Sequence, residues 1–391
     1  MIWIRRLSVL SCLAALAVSP AFAFETPAKQ AFILDYETGI PLYAKNAEEP
    51  MIPASMTKIM TSYVVFDMLQ KGTLSPDDKF TVSQNAWEKG GWASGGSTMG
   101  LSIGESVSVM DLLTGVIVLS GNDACIVLAE GISGTEEAFA KEMTASAQEM
   151  GLKTASFKNA TGLDEEGHEI SAADLAMLAK LSIETHPEYY GLYALPSFEW
   201  NGISQPNRNP ILGKISGVDG LKTGHLSVSG YGLVASATEG DERRIVVING
   251  LDSISARAAS AERMMRAAFR QFEVVAPFEA GETVGTIPVW LGKQDSVEAV
   301  VTEDIAIGIE SSERRDMSAK IVLETAVTAP IEEGQKIGTL VISGANGLSE
   351  EYPVVAKEKV SKIGLLGRAF EGFAGLFDTG VATSEPVTEA E

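Results

Sequence analysis

The chain has 391 residues, 45% apolar and 21% charged. That excludes a disordered polymer and allows two or three domains around a large core. A net charge of −22 and a pI near 4.6 repel phosphate, which excludes a nucleic-acid partner and predicts a soluble, acidic surface.

Residues 1–23 read as a secretory signal. Arg5 and Arg6 precede an apolar run from Leu7 to Val18, and Ala21-Phe22-Ala23 forms a small-residue cleavage site. The run is too short for a transmembrane anchor, and no other stretch is apolar enough to span a bilayer. Cleavage would leave Phe24 first and remove two arginines but no acid, giving −22 − 2 = −24. Cys12 leaves with the signal, so Cys125 has no partner in its own chain. Its apolar neighbours predict a buried, inert thiol.

Ala31 to Tyr36 and Ile40 to Tyr43 flank Glu37-Thr38-Gly39 and predict a hairpin. Pro53-Ala54-Ser55-Met56-Thr57-Lys58 then leads into an apolar run reaching Leu69. Apolar residues on every side predict a helix buried in a core. A start near Ser55 puts Ser55 and Lys58 on one face. A serine becomes a nucleophile when a neighbouring base takes its proton. Lysine can be that base when desolvation or a second cation lowers its pKa.

Residues 84–104 hold Trp87, Trp92 and nine Gly or Ser residues; they read as a loop, either a binding-site rim or a surface excursion. A helix over 107–119 breaks at Ser120-Gly121-Asn122-Asp123 and resumes through Cys125. The break either delivers polar side chains to a dry interior or is a plain helix turn capped by Asn122 or Asp123. Phe157 to Leu163 is turn-rich, and Ser171 with Asp174 resembles a capping box ahead of a helix over 175–183. Three histidines, His168, His186 and His225, without metal-ligand spacing predict no metal site.

Val218 to His225 contains Lys222-Thr223-Gly224 on or beside a strand, with two further strands after it. The glycine would admit a second backbone, as a substrate pairing along an edge requires; taken alone, the segment reads more simply as an ordinary bulge with a solvated lysine. A helix over 260–272 closes this unit. Strand-like segments at 283–289, 296–301, 306–309, 319–327, 336–342 and 352–356 predict a small all-β domain over 273–356. At 357–377, Ile363, Leu366, Phe370, Phe373 and Phe377 line one side of a helical wheel, and Lys357, Lys359, Lys362 and Arg368 make it basic. This predicts a helix lying in a membrane surface. Residues 378–391 form an acidic tail, predicted to be disordered.

Ser55-x-x-Lys58, Ser120-Gly121-Asn122 and Lys222-Thr223-Gly224, in that order, resemble the motif triplet of penicillin-binding proteins and serine β-lactamases. The fuller strings Pro-Ala-Ser-Met-Thr-Lys, Ser-Gly-Asn-Asp-Ala-Cys and Asp-Gly-Leu-Lys-Thr-Gly-His are similar to those of the D-alanyl-D-alanine carboxypeptidases, the low-molecular-mass penicillin-binding proteins. The resemblance implies an α/β (α+β) catalytic domain of the β-lactamase/transpeptidase type over 24–272. It implies Ser55 as nucleophile, Lys58 as its base and Ser120 as proton relay. Asn122 would hold the substrate backbone, and Lys222 would keep the cluster positive while helping to hold Lys58 neutral. The backbone N–H groups of Ser55 and His225 would form the oxyanion hole. Thr223, Arg208 and Arg257 would bind the terminal carboxylate. No cofactor is implied. The implied partners are peptidoglycan stem peptides, β-lactams and the periplasmic face of the inner membrane.

Gly121 stands where class A β-lactamases carry Asp, and the chain has no Leu-Asn pair, hence no Glu-x-x-Leu-Asn string. Penicillin is therefore expected to acylate Ser55 and clear slowly. A D,D-endopeptidase, a weak β-lactamase on the same fold, and a non-catalytic wall-binding protein are the alternatives.

Overall fold

A computed structural model describes residues 24–344 and 348–364. The chain starts with strands β1 (Gln30–Asp35) and β2 (Pro41–Lys45), the predicted hairpin. Its turn closes where the Asp35 carboxylate accepts from the Thr38 N–H at 2.9 Å. A single 3-10 turn, Ala54–Thr57, then leads into helix α1 (Lys58–Gln70). The helix proper therefore begins three residues after Ser55. Residues i and i+3 eclipse in a 3-10 turn, so Ser55 and Lys58 still share a side. Ten of the α1 side chains are buried, Lys58 among them.

Strand β3 (Lys79–Thr81) and helix α2 (Gln84–Gly90) follow, then β4 (Ser106–Ser108) beside β3. The predicted loop thus contains a helix. Its cap is Ser83, whose hydroxyl accepts from the Ala86 N–H at 2.9 Å. Helix α3 (Val109–Thr114) widens into a π turn over Gly115–Leu119 and stops at Ser120, which adopts a left-handed φ of 61°. Helices α4 (Asn122–Ser133), α5 (Glu136–Glu149), α6 (Ala172–Thr185) and α7 (Pro187–Tyr190) complete the helical layer. Ser171 caps α6 as the sequence predicted, accepting from the Asp174 N–H at 3.1 Å.

A small hairpin, β5 (Ser197–Trp200) and β6 (Ile203–Pro206), precedes β7 (Val218–Leu226), β8 (Gly230–Glu239) and β9 (Glu242–Leu251). Helix α8 (Ile254–Arg270) begins earlier than expected because Ser253 supplies a cap, accepting from the Ala256 N–H at 3.0 Å. The main sheet is antiparallel in the order β2-β1-β9-β8-β7. Alternate strand residues face opposite sides of a sheet. Phe32, Leu34, Val234 and Val247 pack under the helical layer, and Ile33, Leu233, Val246 and Ile248 pack against Met264, Met265 and Ala268 of α8. The result is a helix–sheet–helix sandwich with β7 at one edge.

The all-β domain contains β10 (Phe272–Phe278), β11 (Thr283–Pro288), β12 (Ser296–Val301), β13 (Ile305–Glu310), β14 (Ser318–Val322), β15 (Lys336–Ser343) and β16 (Ser349–Ala356). Its five-stranded sheet runs β11-β12-β16-β15-β14, and β10 pairs with β13. It docks at the β2 edge of the catalytic sheet, opposite β7. A Cβ on Gly308 would lie 2.0 Å from the Pro41 carbonyl, and the Phe24 ring sits edge-on to Tyr43 and Phe272.

The predicted helix does not begin at Lys357. Residues 357–364 are non-helical and pair along the β domain, Val360 with Ile331 and Lys362 with Gly292. Val360 is fully buried in the domain core, Lys357 pairs with Glu298, and Lys359 bonds Glu332 at 2.8 Å. Apolar burial and these ion pairs hold the segment extended and carry the β domain past residue 356. The signal at 1–23, the rest of the membrane-surface helix from 365 and the acidic tail lie outside the described residues.

Candidate active site

Lys58 lies at the N-terminus of α1 with 1% of its surface exposed. Its ammonium nitrogen is 3.0 Å from Ser55 Oγ, 2.8 Å from Asn122 Oδ1 and 2.6 Å from the Thr161 carbonyl. The Thr161 carbonyl is delivered by a tight turn. The N–H of Gly162 and the hydroxyl of Thr161 both donate to Asn159 Oδ1. Gly162 has φ +81°, and a Cβ there would lie 1.9 Å from the Ala54 carbonyl. Only glycine allows the 159–163 turn to sit beneath the Ser55 turn. Nothing in the sequence marked Thr161 as a partner of the lysine, because the group involved is backbone.

His168 supports this arrangement from behind. The Lys158 N–H donates to Nδ1 at 3.1 Å, so the proton lies on Nε2, which donates to Thr57 Oγ1 at 2.8 Å. Burial, followed by the charges of Lys158 and Lys58, pushes its pKa down to about 4. The ring is therefore neutral near pH 7.

Ser120 and Asn122 arrive from the break between α3 and α4. Both are buried. Asn122 joins the lysine directly; Ser120 makes no side-chain hydrogen bond to Ser55 or Lys58 among the described residues. The Asn122 N–H donates to the Ser97 carbonyl at 2.9 Å, so the 92–101 segment forms a wall of the cleft. Trp92 stands on that wall, 57% exposed, with its indole against Gly100.

Edge strand β7 carries Lys222, Thr223, Gly224 and His225, paired with Val234, Leu233, Gly232 and Tyr231 of β8. A Cβ on Gly224 would lie 2.5 Å from the Pro53 carbonyl and 3.1 Å from Met56 Cγ. Gly224 thus lets β7 pack against the Ser55 turn. Lys222 is 2% exposed and donates to the Thr223 carbonyl at 3.3 Å. His225 is exposed and stacks on Tyr231 at 3.8 Å. Arg257 of α8 is 8% exposed, lies 5.6 Å over the Tyr231 ring and donates weakly to the Gly224 carbonyl at 3.4 Å; its buried Nε has no partner. Arg208 is exposed and donates to Gln205 Oε1 at 3.0 Å, while the Gln205 amide donates to the Thr98 carbonyl at 3.3 Å. Gln205 was not among the expected site residues.

Two lysines desolvated in one cleft are electrostatically costly. Burial lowers the Lys58 pKa, with Cys125, Glu136 and Asp123 pulling the other way. Burial pushes Lys222 well below the usual lysine range, and repulsion from Lys58 is the next cause. Desolvation is thus the leading cause at Lys58, where the sequence had emphasised the second lysine. Cys125 is fully buried and its thiol is pushed up to about 12, chiefly by burial, so the thiol stays protonated near pH 7. Among the described residues no cluster of acids, His and Cys could hold a metal.

A Ser–Lys pair at the head of a buried helix, facing a Ser-Gly-Asn turn and a Lys-Thr-Gly edge strand on this mixed α/β sandwich, defines the penicillin-binding class of serine enzymes. Solved structures of that class share the fold. DacD from Francisella tularensis, a D-alanyl-D-alanine carboxypeptidase, has a TM-score of 0.76 at 31% identity, covering 87% of this chain and 95% of that one. Penicillin-binding protein 5 from Haemophilus influenzae has a TM-score of 0.65 at 35% identity, covering 87% and 99%. In sequence, the D-alanyl-D-alanine carboxypeptidase DacD of Salmonella typhimurium is 37% identical over 382 residues, 94% of this chain and 98% of that protein. Residues 15–253 match the D-alanyl-D-alanine carboxypeptidase family and residues 272–362 the C-terminal domain of penicillin-binding protein 5. The chain belongs to the D-alanyl-D-alanine carboxypeptidase family.

Proposed function

We propose that the protein removes the terminal D-alanine from peptidoglycan pentapeptide stems through an acyl-enzyme at Ser55. The observation that carries this reading is Lys58 Nζ at 3.0 Å from Ser55 Oγ in a dry site that lowers the lysine pKa. Neutral Lys58 takes the Ser55 proton as Oγ attacks the carbonyl between the two D-alanines. The backbone N–H groups of Ser55 and His225 hold the oxyanion, a charge that exists only in the transition state and intermediate. The C–N bond breaks as Ser120 gives its hydroxyl proton to the departing amine and receives in its place the proton that Lys58 took from Ser55, which leaves Lys58 neutral again. Water then cleaves the acyl-enzyme and leaves a tetrapeptide.

The substrate lies antiparallel along the free edge of β7, with Asn122 holding its backbone across the cleft. Its terminal carboxylate meets Thr223, Arg208 and Arg257. The orphaned Nε of Arg257 supports that placement, since a buried donor without a partner gains from an incoming anion. β-Lactams enter the same cleft and acylate Ser55. Penicillin-binding protein D2 of Listeria monocytogenes, 28% identical and with a TM-score of 0.57, has been solved with ampicillin bound.

A D-Ala-D-Ala-terminated peptide tests the reading. The wild type is expected to release D-alanine and Ser55→Ala to release none. Equal release by the variant would overturn the role of Ser55; release by neither would overturn the activity.

We also place the protein in the periplasm after removal of residues 1–23, attached to the inner membrane by the apolar residues that follow Gly364, Leu366, Phe370, Phe373 and Phe377. No helix among the described residues is long and apolar enough to cross a membrane. Because Val360 and Ile363 belong to the β domain, the informative truncation ends after Gly364. The full chain is expected to pellet with anionic vesicles and the truncated chain to stay in the supernatant. Equal pelleting would remove the anchor.

A further inference from the structure

Asp123 follows the Ser120-Gly121-Asn122 turn and has no assigned part in the reaction. Its side chain is fully buried. Oδ1 accepts from the N–H groups of Met99 at 2.8 Å and Ala124 at 3.0 Å. Oδ2 accepts from Thr98 Oγ1 at 2.6 Å and from the N–H groups of Gly100 at 2.9 Å and Leu101 at 3.1 Å. Five donors thus converge on one carboxylate, an acceptor-only group when ionised. Four of the five come from residues 98–101. One residue earlier, the Ser97 carbonyl receives the Asn122 N–H.

The surrounding glycines leave room for this clasp. A Cβ on Gly121 would lie 3.0 Å from both Asp123 Oδ1 and the Met99 nitrogen, and one on Gly90 would lie 2.2 Å from the Asp123 nitrogen. The Gly121 that distinguishes this chain from class A β-lactamases therefore sits where a side chain would crowd the clasp. The clasp also continues into the catalytic pair, since Asn122 Oδ1 is 2.8 Å from Lys58 Nζ.

We propose that Asp123 is a positioning residue for acyl transfer: it fixes the 97–101 wall and, through it, Asn122 against Lys58. The inference rests on the Ser55–Lys58 reading. The charged and titratable groups around Lys58 are Asp123 and Cys125 on α4, Glu136 on α5, Lys222 on β7 and His168 behind Thr57, the last neutral near pH 7. Asp123 and Glu136 favour protonated Lys58, and Lys222 disfavours it. Removing the Asp123 charge therefore lets Lys58 lose its proton at lower pH.

Asp123→Asn presents an amide donor where two or three donors already point, and so opens the clasp. Thr98→Val removes one of the five hydrogen bonds and keeps the charge. The readouts are the rate of Ser55 acylation by a fluorescent penicillin from pH 5 to 10, kcat and KM for D-alanine release, and Tm. Asp123→Asn is expected to lower acylation and kcat on the order of 10²-fold, the scale of a misplacement near 1 Å. Its acidic limb is expected to move to lower pH. Thr98→Val is expected to lower kcat less and leave the limb in place. An Asp123→Asn enzyme with wild-type acylation and an unmoved limb overturns the proposal. So does one that loses activity only in proportion to its unfolded fraction. If the wild type itself neither releases D-alanine nor is acylated, the underlying reading fails instead.

Discussion

Lys58→Ala is expected to lower D-alanine release and penicillin acylation by roughly 10²–10⁴-fold, the scale of a lost general base. The structure gives Ser55 no substitute. The other lysine, Lys222, is hydrogen-bonded to the Thr223 carbonyl, and the neutral imidazole of His168 is spent on Thr57 and Lys158. Stability should respond far less than activity, because two effects oppose each other. Deleting the side chain leaves a cavity and strips Asn122 Oδ1 and the Thr161 carbonyl of a donor. It also relieves the burial of an amine that is 1% exposed. Tm is therefore expected to change by no more than about 4 °C, the shift produced by roughly 1 kcal/mol in a domain of about 250 residues. The two measurements must be made together. A variant that loses activity only because it unfolds at the assay temperature would remove Lys58 from the role of base.

The three motifs were legible because their chemistry resides in side chains, and side chains are what a sequence records. Ser55 and Lys58 stand one 3-10 turn apart in the structure, and Lys222 to Gly224 lie on an edge strand. The groups that complete the site were not legible. The Thr161 carbonyl and the amides of residues 99–101 exist at every position of every chain. Only the tertiary fold brings them to Lys58 and Asp123. Helix α2 was hidden for a related reason. Gly90 is poor helix material, yet it stands there because α2 crosses α4 at backbone contact, where a Cβ would meet Asp123. The segment after residue 356 misled in the opposite direction. The helical wheel was extended back over Lys357 and Lys359, which hold acids of the β domain, and over Ile363, whose N–H donates to the Leu291 carbonyl. Val360, off the apolar face, marks the segment that stays with the β core.

Lys222→Ala is the second large effect, and its pH profile carries more information than its size. The loss in acylation is expected to be roughly 10²–10³-fold, because a buried amine on the strand that packs against the Ser55 turn is removed. The shift in the acidic limb follows from reciprocity. Lys58 lowers the pKa of Lys222, and Coulomb repulsion acts equally on both partners. A protonated Lys222 therefore destabilises protonated Lys58 against the pull of Asp123 and Glu136. Without Lys222, Lys58 keeps its proton to higher pH, and the limb that marks formation of the neutral base moves to higher pH. That direction is opposite to the one expected for Asp123→Asn, so the pair of variants brackets the wild type. Lys222→Met adds an apolar side chain of similar length and controls for the cavity. If both Lys222 variants lose rate while the limb stays in place, Lys222 is neutral when the reaction begins. Burial alone then prepares Lys58, and the second lysine contributes through its contacts with substrate rather than through its charge.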